Sequence, residues 1–131
     1  GLTYSLLPHA EDFRRGEVIR QGYELNVSLL ARPVQTARVG NSAPSSQSFF
    51  SMDVPNVVIE TIKHVEQGKG VIVRLYEAWG QRGRARLATS LSFKRAERVN
   101  LMEERIGSAT LAGGGVELYF RPHEILNLRL F

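Results

Sequence analysis

Apolar and polar residues alternate with a period of two over most of the chain from Val57 to Leu130. Successive side chains of a β-strand point to opposite faces, so this period indicates strands that are buried on one face. The β-branched run Val57–Val65 and the apolar run Val71–Trp79 flank Gln67-Gly68-Lys69-Gly70, which predicts a hairpin. Strands with one apolar face need a second sheet to cover that face. The segment therefore predicts a small antiparallel β-sandwich.

The same alternation predicts further strands towards the C-terminus. Turns are predicted at Gly80–Gly83 and at Ala112–Gly115, where glycines cluster. The strands predicted around them are Ala85–Phe93, Arg98–Glu103, Val116–Phe120 and Leu126–Leu130. Each has one apolar and one polar face, as the sandwich requires.

The N-terminal third has weaker patterns. Leu2–Leu7 is a short apolar run that ends at Pro8, which predicts a strand. Glu11–Gln21 has acidic residues at its start and predicts a short helix that ends at Gly22, followed by an extended segment, Tyr23–Val34. Gly40–Ser48 collects Gly, Asn, Pro and Ser and predicts a loop or linker. The predicted fold class is all-β, an antiparallel β-sandwich with one short helix near the N-terminus.

The composition suits a compact soluble domain. The chain has 131 residues, of which 43% are hydrophobic and 23% are charged, so it can form a core. It contains no cysteine, which excludes disulfides and thiolate metal sites and fits either a reducing compartment or a secreted domain that needs no disulfides. No apolar run approaches the roughly 20 residues that span a bilayer. We expect a cytoplasmic protein that does not bind membranes.

The net charge of +4 raises the question of a polyanionic partner. Arg82, Arg84 and Arg86 form one basic group, but acidic residues such as Glu77 and Glu97 are interleaved with the basic ones along the chain. A nucleic-acid footprint normally combines a one-sided basic stripe with stacking aromatics. We therefore expect no nucleic-acid partner.

No catalytic or metal-binding motif is visible. His9, His64 and His123 are each isolated, and a zinc site needs three or four converging ligands. Glycosidases need two carboxylates across a cleft, whereas the adjacent Glu103 and Glu104 would point to opposite faces of a strand. The other strand glutamates, Glu77 included, are interpreted as solvated. We predict no catalytic residue, no metal ligand and no tight zinc binding in this chain.

Six short strings follow one another along nearly the whole chain: Leu2–His9, Glu24–Asn26, Val57–Lys63, Val73–Glu77, Asn100–Glu103 and Arg121–Leu128. No single string is diagnostic, but their order and spacing are specific. Together they resemble the extreme C-terminal part of glycoside hydrolase family 38 α-mannosidases, and Gln35–Ser48 is the part that does not match.

The resemblance implies a noncatalytic segment of a large hydrolase. In that family an N-terminal catalytic domain carries zinc and the aspartate nucleophile of a retaining mechanism that cleaves terminal α-mannosides. The implied division is 1–46 as the end of the large middle β-sandwich, 47–54 as a linker and 55–131 as the small C-terminal β-sandwich. The implied partners are the catalytic domain and, through it, an oligomannoside, with homo-oligomerisation also expected. The segment alone is expected to be inactive and to hold no cofactor.

The resemblance also singles out Arg74 and Glu77, in the strand after the hairpin. Strand geometry places Arg74 on the same face as Tyr76, away from Val73 and Leu75. Both residues are candidates for polar contacts with another domain or with the substrate cleft. The alternative is an ordinary ion pair, across strands or between domains, which contributes at most ~1 kcal/mol if it is exposed.

Two alternatives from other classes stay open. One is a freestanding carbohydrate-binding or protein-interaction β-sandwich module, although Trp79 is the only tryptophan and the tyrosines are dispersed. The other is the polyanion binder considered above.

Overall fold

A computed structural model of the chain describes residues 4–33 and 46–131. The chain divides into two units, Gly1–Ser46 and Gln47–Phe131. Each unit is treated by itself below. No helix in the described part of the chain is long and apolar enough to cross a membrane.

The described residues of the first unit form one helix, α1, Val18–Asn26. It follows a turn in which the side chain of Asp12 accepts hydrogen bonds from the backbone N–H groups of Arg14 and Arg15, at 3.0 and 3.1 Å. The helix ends at Asn26, whose side-chain amide donates to the carbonyl of Gly22 at 2.7 Å. The carbonyl of Tyr23, one of those that a helix C-terminus leaves free, accepts the N–H of Val27 at 2.8 Å.

The structure corrects three predictions for this unit. The helix begins and ends later than predicted, because Gly22 is tolerated inside it and Tyr23–Asn26, predicted as extended, are helical. Residues 4–7, part of the predicted strand Leu2–Leu7, have no strand structure. Residues 1–3 and 34–45, with most of the predicted loop Gly40–Ser48, lie outside the described residues.

The second unit is an all-antiparallel β-sandwich. Its strands pair in the order β1-β4-β7-β6-β5-β8-β3-β2. Their bounds are β1 Phe50–Met52, β2 Val57–His64, β3 Val71–Glu77, β4 Gly83–Thr89, β5 Ala96–Val99, β6 Arg105–Ala112, β7 Gly115–Phe120 and β8 Ile125–Leu130. The predicted fold class, with one short helix near the N-terminus, is confirmed.

Strand β6 belongs to both layers of the sandwich. Its first part, up to Ala109, pairs with β5, in the layer that also contains β8, β3 and β2. Its last part, Thr110–Ala112, pairs with β7, in the layer that also contains β4 and β1. The two layers are therefore joined through one continuous strand.

The hydrophobic core lies between the two layers. The alternation seen in the sequence places its residues on the inner faces, and each fully buried Leu, Val or Phe contributes about 1.5–3 kcal/mol to folding. The core residues are Val57, Val73, Leu75, Ala85, Leu87, Ala96, Val116, Leu118, Phe120, Leu126, Leu128 and Leu130.

The predicted hairpin and the predicted turn at Ala112–Gly115 are both present. The β2–β3 hairpin has Gly68 and Gly70 at φ +91° and +119°, where a side chain would be strained. Gly113 and Gly114 form a two-residue turn between β6 and β7 with φ +54° and +72°. Positive φ at both central residues is the requirement of the type I′ turn that matches strand twist.

Four strand predictions differ from the structure. The strand predicted at Ala85–Phe93 is β4, which begins at Gly83 and ends at Thr89. Phe50–Met52, placed in the linker 47–54, forms β1 and pairs with Leu87–Thr89 of β4. Strand β6 was not predicted at all. The strand predicted at Arg98–Glu103 is β5, which ends at Val99, and residues 100–104 form a turn in which Glu103 has φ +64°.

Candidate functional site

Arg74 lies on the outer face of β3, on the same face as Tyr76, as strand geometry predicted. Its Nε donates to the side-chain oxygen of Asn127 on β8 at 2.8 Å, and Nη1 lies 3.8 Å from a carboxylate oxygen of Glu60. Arg74 and Asn127 are direct cross-strand partners. Because both charged groups are partly exposed, the ion pair contributes little to stability.

Glu77 is buried, so the predicted solvated role is wrong for this residue. Its side chain is 1% exposed, yet it meets no arginine, lysine or histidine side chain in the described contacts. One carboxylate oxygen accepts bonds from Asn56 Nδ2 and the Trp79 N–H, at 3.0 and 2.9 Å. The other accepts bonds from the N–H groups of Gln81 and His123, each at 3.0 Å.

These four bonds explain why the carboxylate is tolerated in the interior. Burial raises the pKa of Glu77, but the hydrogen bonds, of which the one from His123 is the largest, outweigh burial and hold the pKa below its usual value. A buried carboxylate is costly unless donors surround it, and here both oxygens are satisfied.

Glu77 thereby fixes one end of the sandwich. Its donors come from the segment before β2, from the loop between β3 and β4, and from the turn between β7 and β8. The loop and the turn also touch: Gly80 has φ +70°, and a Cβ there would lie 2.8 Å from His123 Nε2. His123 itself has φ +57°, so the carboxylate holds a strained turn in place.

The carboxylates considered for catalysis are engaged separately. Glu103 is bound by the ammonium of Lys63 and by the N–H of Glu66, each at 2.8 Å, and these bonds, that to Lys63 first, lower its pKa. Glu104 accepts a bond from Asn100 Nδ2 at 2.8 Å. The sequence prediction placed Glu103 and Glu104 on a strand, but both lie in the turn after β5. They still do not form a pair of carboxylates that face each other across a cleft.

No metal centre is formed by the residues that the structure describes. Within residues 4–33 and 46–131, no three histidine, aspartate or glutamate side chains gather into a group that could hold a metal ion. His64 is exposed at the end of β2, and His123 packs against Gly80.

Arg86, one of the three clustered arginines, has a structural role. Its guanidinium lies 3.0 Å from Glu117 and donates to the carbonyls of Ala112 and Gly113, at 3.1 and 2.8 Å. Arg86 therefore stabilises the glycine turn between β6 and β7. Arg84 lies two residues earlier on the same face and is exposed.

A polar cleft of about 400 Å³ opens where β6 and β7 diverge, away from the glycine turn. The sequence did not predict it because its lining comes from β5, β6, β7, β8 and the turn before β8, and no local pattern joins these segments. The lining residues are Arg98, Ser108, Ala109, Thr110, Glu117, Leu118, Tyr119, Arg121, Glu124 and Leu126.

Fold and polar contacts together define a small antiparallel β-sandwich domain, whose buried carboxylate and cross-strand contacts hold its own loops and strands. Comparison of the sequence with known proteins identifies one family. The sequence profile of the glycosyl hydrolases family 38 C-terminal beta sandwich domain matches residues 56–128. The chain belongs to glycoside hydrolase family 38, as its resemblance predicted.

Curated relatives agree over nearly the whole chain. Alpha-mannosidase 2C1 of Mus musculus is 37% identical and that of Homo sapiens 36% identical, each over 133 aligned residues that cover 98% of this chain. Alpha-mannosidase G of Dictyostelium discoideum is 30% identical over 78 residues, or 60% of this chain. The chain spans 12% of the length of the two 2C1 relatives and 7% of the third.

Proposed function

We propose that this chain is the noncatalytic C-terminal β-sandwich segment of a longer α-mannosidase and scaffolds its catalytic domain. The longer enzyme would hydrolyse terminal α-mannosides with retention of configuration, using zinc held by its catalytic domain. The observation that carries the proposal is the match of residues 56–128 to the family 38 C-terminal β-sandwich, together with named α-mannosidases that align over 98% of the chain.

The use of polar groups supports a scaffolding role. The buried Glu77 accepts hydrogen bonds from three connecting segments, and Arg86 donates to a carbonyl of the β6–β7 turn. The described residues do not fit zinc, since no three candidate ligands converge among them. The proposal therefore assigns both the metal and the reaction to the rest of the longer protein.

Exposed apolar side chains in the first unit support a covering partner. Tyr4, Leu6, Leu29 and Leu30 are each 88–99% exposed. Apolar side chains exposed to this extent, at residues 4–6 and again at 29–30, favour contact with another surface. The proposal assigns that surface to the preceding part of the longer enzyme, and it assigns Arg74 an interdomain polar contact.

The test uses the longer natural protein, intact and truncated before Gln47. The truncated enzyme should melt at a lower temperature and lose activity on an aryl α-mannoside, because its catalytic domain lacks support. The isolated 131-residue chain should show no turnover, with or without added zinc.

Two outcomes would contradict the proposal. One is a truncated enzyme with unchanged melting temperature and activity. The other is turnover by the isolated chain that a substitution within it abolishes. As a matched pair in the longer enzyme, Glu77→Gln should lower its melting temperature, and the exposed Glu117→Gln should not.

A further inference from the structure

The polar cleft exists because β6 changes partner. The strand pairs with β5 up to Ala109 and with β7 from Thr110 onwards. On β7, the residues beyond Glu117 continue along β4 without β6. The two strands diverge at this point, and the cleft of about 400 Å³ fills the angle between them.

The cleft has an apolar floor and polar walls. Leu118 and Leu126, 8% and 4% exposed, form the floor and belong to the core. The hydroxyls of Ser108 and Thr110 stand on one wall, on β6, and Tyr119 on the other, on β7. Tyr119 is 55% exposed, so one large flat ring is open to a ligand. A volume of this size suits a small molecule.

The charges of the lining residues balance. Arg98, Arg121, Glu117 and Glu124 line the same space. Both carboxylates are already used in part: Glu117 pairs with Arg86 at 3.0 Å, and Glu124 accepts the Arg121 backbone N–H at 2.7 Å and a long 3.4 Å bond from Arg98. An anion would therefore meet two carboxylates as well as two guanidiniums. A neutral ligand that both donates and accepts hydrogen bonds suits these walls better.

We propose that this cleft binds one neutral pyranose unit of an oligosaccharide. Neighbouring sugar hydroxyls donate to the glutamates and accept from the arginines, while the apolar face of the ring packs on Tyr119. This sugar site goes beyond the scaffolding role. It rests on the proposed function only for the choice of a mannoside as the probe. It gives the sandwich a sugar contact outside the catalytic domain.

The test is an NMR titration of the isotope-labelled 131-residue chain with methyl α-D-mannopyranoside. We expect saturable shifts confined to residues 106–110 and 117–124, with a dissociation constant of about 1–10 mM, as is typical of a small ligand with few contacts. Inorganic phosphate and uncharged glycerol are titrated in parallel and should shift these residues less.

Variants separate the sugar site from the fold. Tyr119→Ala should weaken binding about tenfold, because it removes the ring, and Thr110→Val about two- to tenfold, because it removes one hydroxyl. Arg84→Ala is the matched control: Arg84 pairs with Tyr119 across β4 and β7 but does not line the cleft. It should leave binding unchanged.

Three results would overturn the proposal: no saturable shift, shifts that map outside the cleft, or tighter binding of phosphate than of the mannoside. Thr110→Val keeps the test decisive if Tyr119→Ala fails to fold. A negative result leaves the scaffolding role standing, because the truncated enzyme tests that role without any free sugar.

Discussion

At the scale of single residues, Glu77 is the most consequential side chain. Its two carboxylate oxygens take four N–H donors from three separate segments. Glu77→Gln puts an NH₂ group where an acceptor was, which leaves at least one buried donor without a partner. We expect the free energy of unfolding to fall by about 1–3 kcal/mol, measured by urea denaturation. Glu117→Gln, on the exposed face of β7, should cost less than about 1 kcal/mol.

Glu77 also makes the free energy of unfolding of the sandwich depend on pH in the acid range. The unfolded carboxyl has the ordinary pKa of 4.5, and the folded pKa is lower. The stabilisation is therefore complete above about pH 4.5 and is lost as pH falls through the folded pKa. Urea midpoints between neutral and acid pH should show this decline. Glu77→Gln should have a shallower decline than Glu117→Gln, and equal slopes would assign the acid sensitivity to other groups.

At the scale of elements, β1 belongs to the sandwich rather than to a linker. It pairs with β4, and the ring of Phe50 stacks on Phe93 with centroids 6.4 Å apart. Phe50→Ala should lower the free energy of unfolding by about 2–3 kcal/mol. The neighbouring Phe49→Ala, at a side chain that is 48% exposed, should cost less than about 1 kcal/mol. Equal melting temperatures of the two variants would contradict this assignment and indicate that β1 is part of the linker.

The sequence predicted those elements whose side chains alternate strongly. Strands β2, β3, β4, β7 and β8 carry a β-branched or leucine-rich inner face, so their local pattern is enough. Strand β6 reads Arg-Ile-Gly-Ser-Ala-Thr-Leu-Ala, and its small residues give little alternation. It is a strand because β5 and β7 provide partners. That information is tertiary, which is also why the cleft beside β6 could not be predicted.

Glu77 shows the same limit at the candidate site. Its place at the end of a strand was visible in the sequence, but its burial was not. The donors that make burial possible come from Asn56, the Gln81 loop and His123, up to 46 residues away along the chain. Arg74, by contrast, lies on the predicted face because strand alternation alone decides it.

At the scale of the whole molecule, the exposed apolar residues of the first unit predict self-association of the free chain. Leu29 is 99% exposed and Tyr4 90% exposed. Light scattering after size exclusion should find residues 1–131 as a dimer or larger and residues 47–131 as a folded monomer. Leu29→Asp in the full chain should shift it towards monomer, and Ser28→Asp is the control.

A monomeric full chain that melts cooperatively, beside an unfolded 47–131, would contradict this expectation. Residues 1–46 would then be part of one indivisible domain. It would also remove the argument that this segment was separated from a larger β-sandwich.

The passage of β6 between the layers has a mechanical consequence. In a sandwich of two independent sheets, the layers can slip past each other or part while each keeps its own ladder of hydrogen bonds. Here Ala109 and Thr110 are neighbours in one strand but ladder partners of different sheets. Separating the layers must therefore break a ladder, so a pulling force on either sheet is transmitted directly to the other.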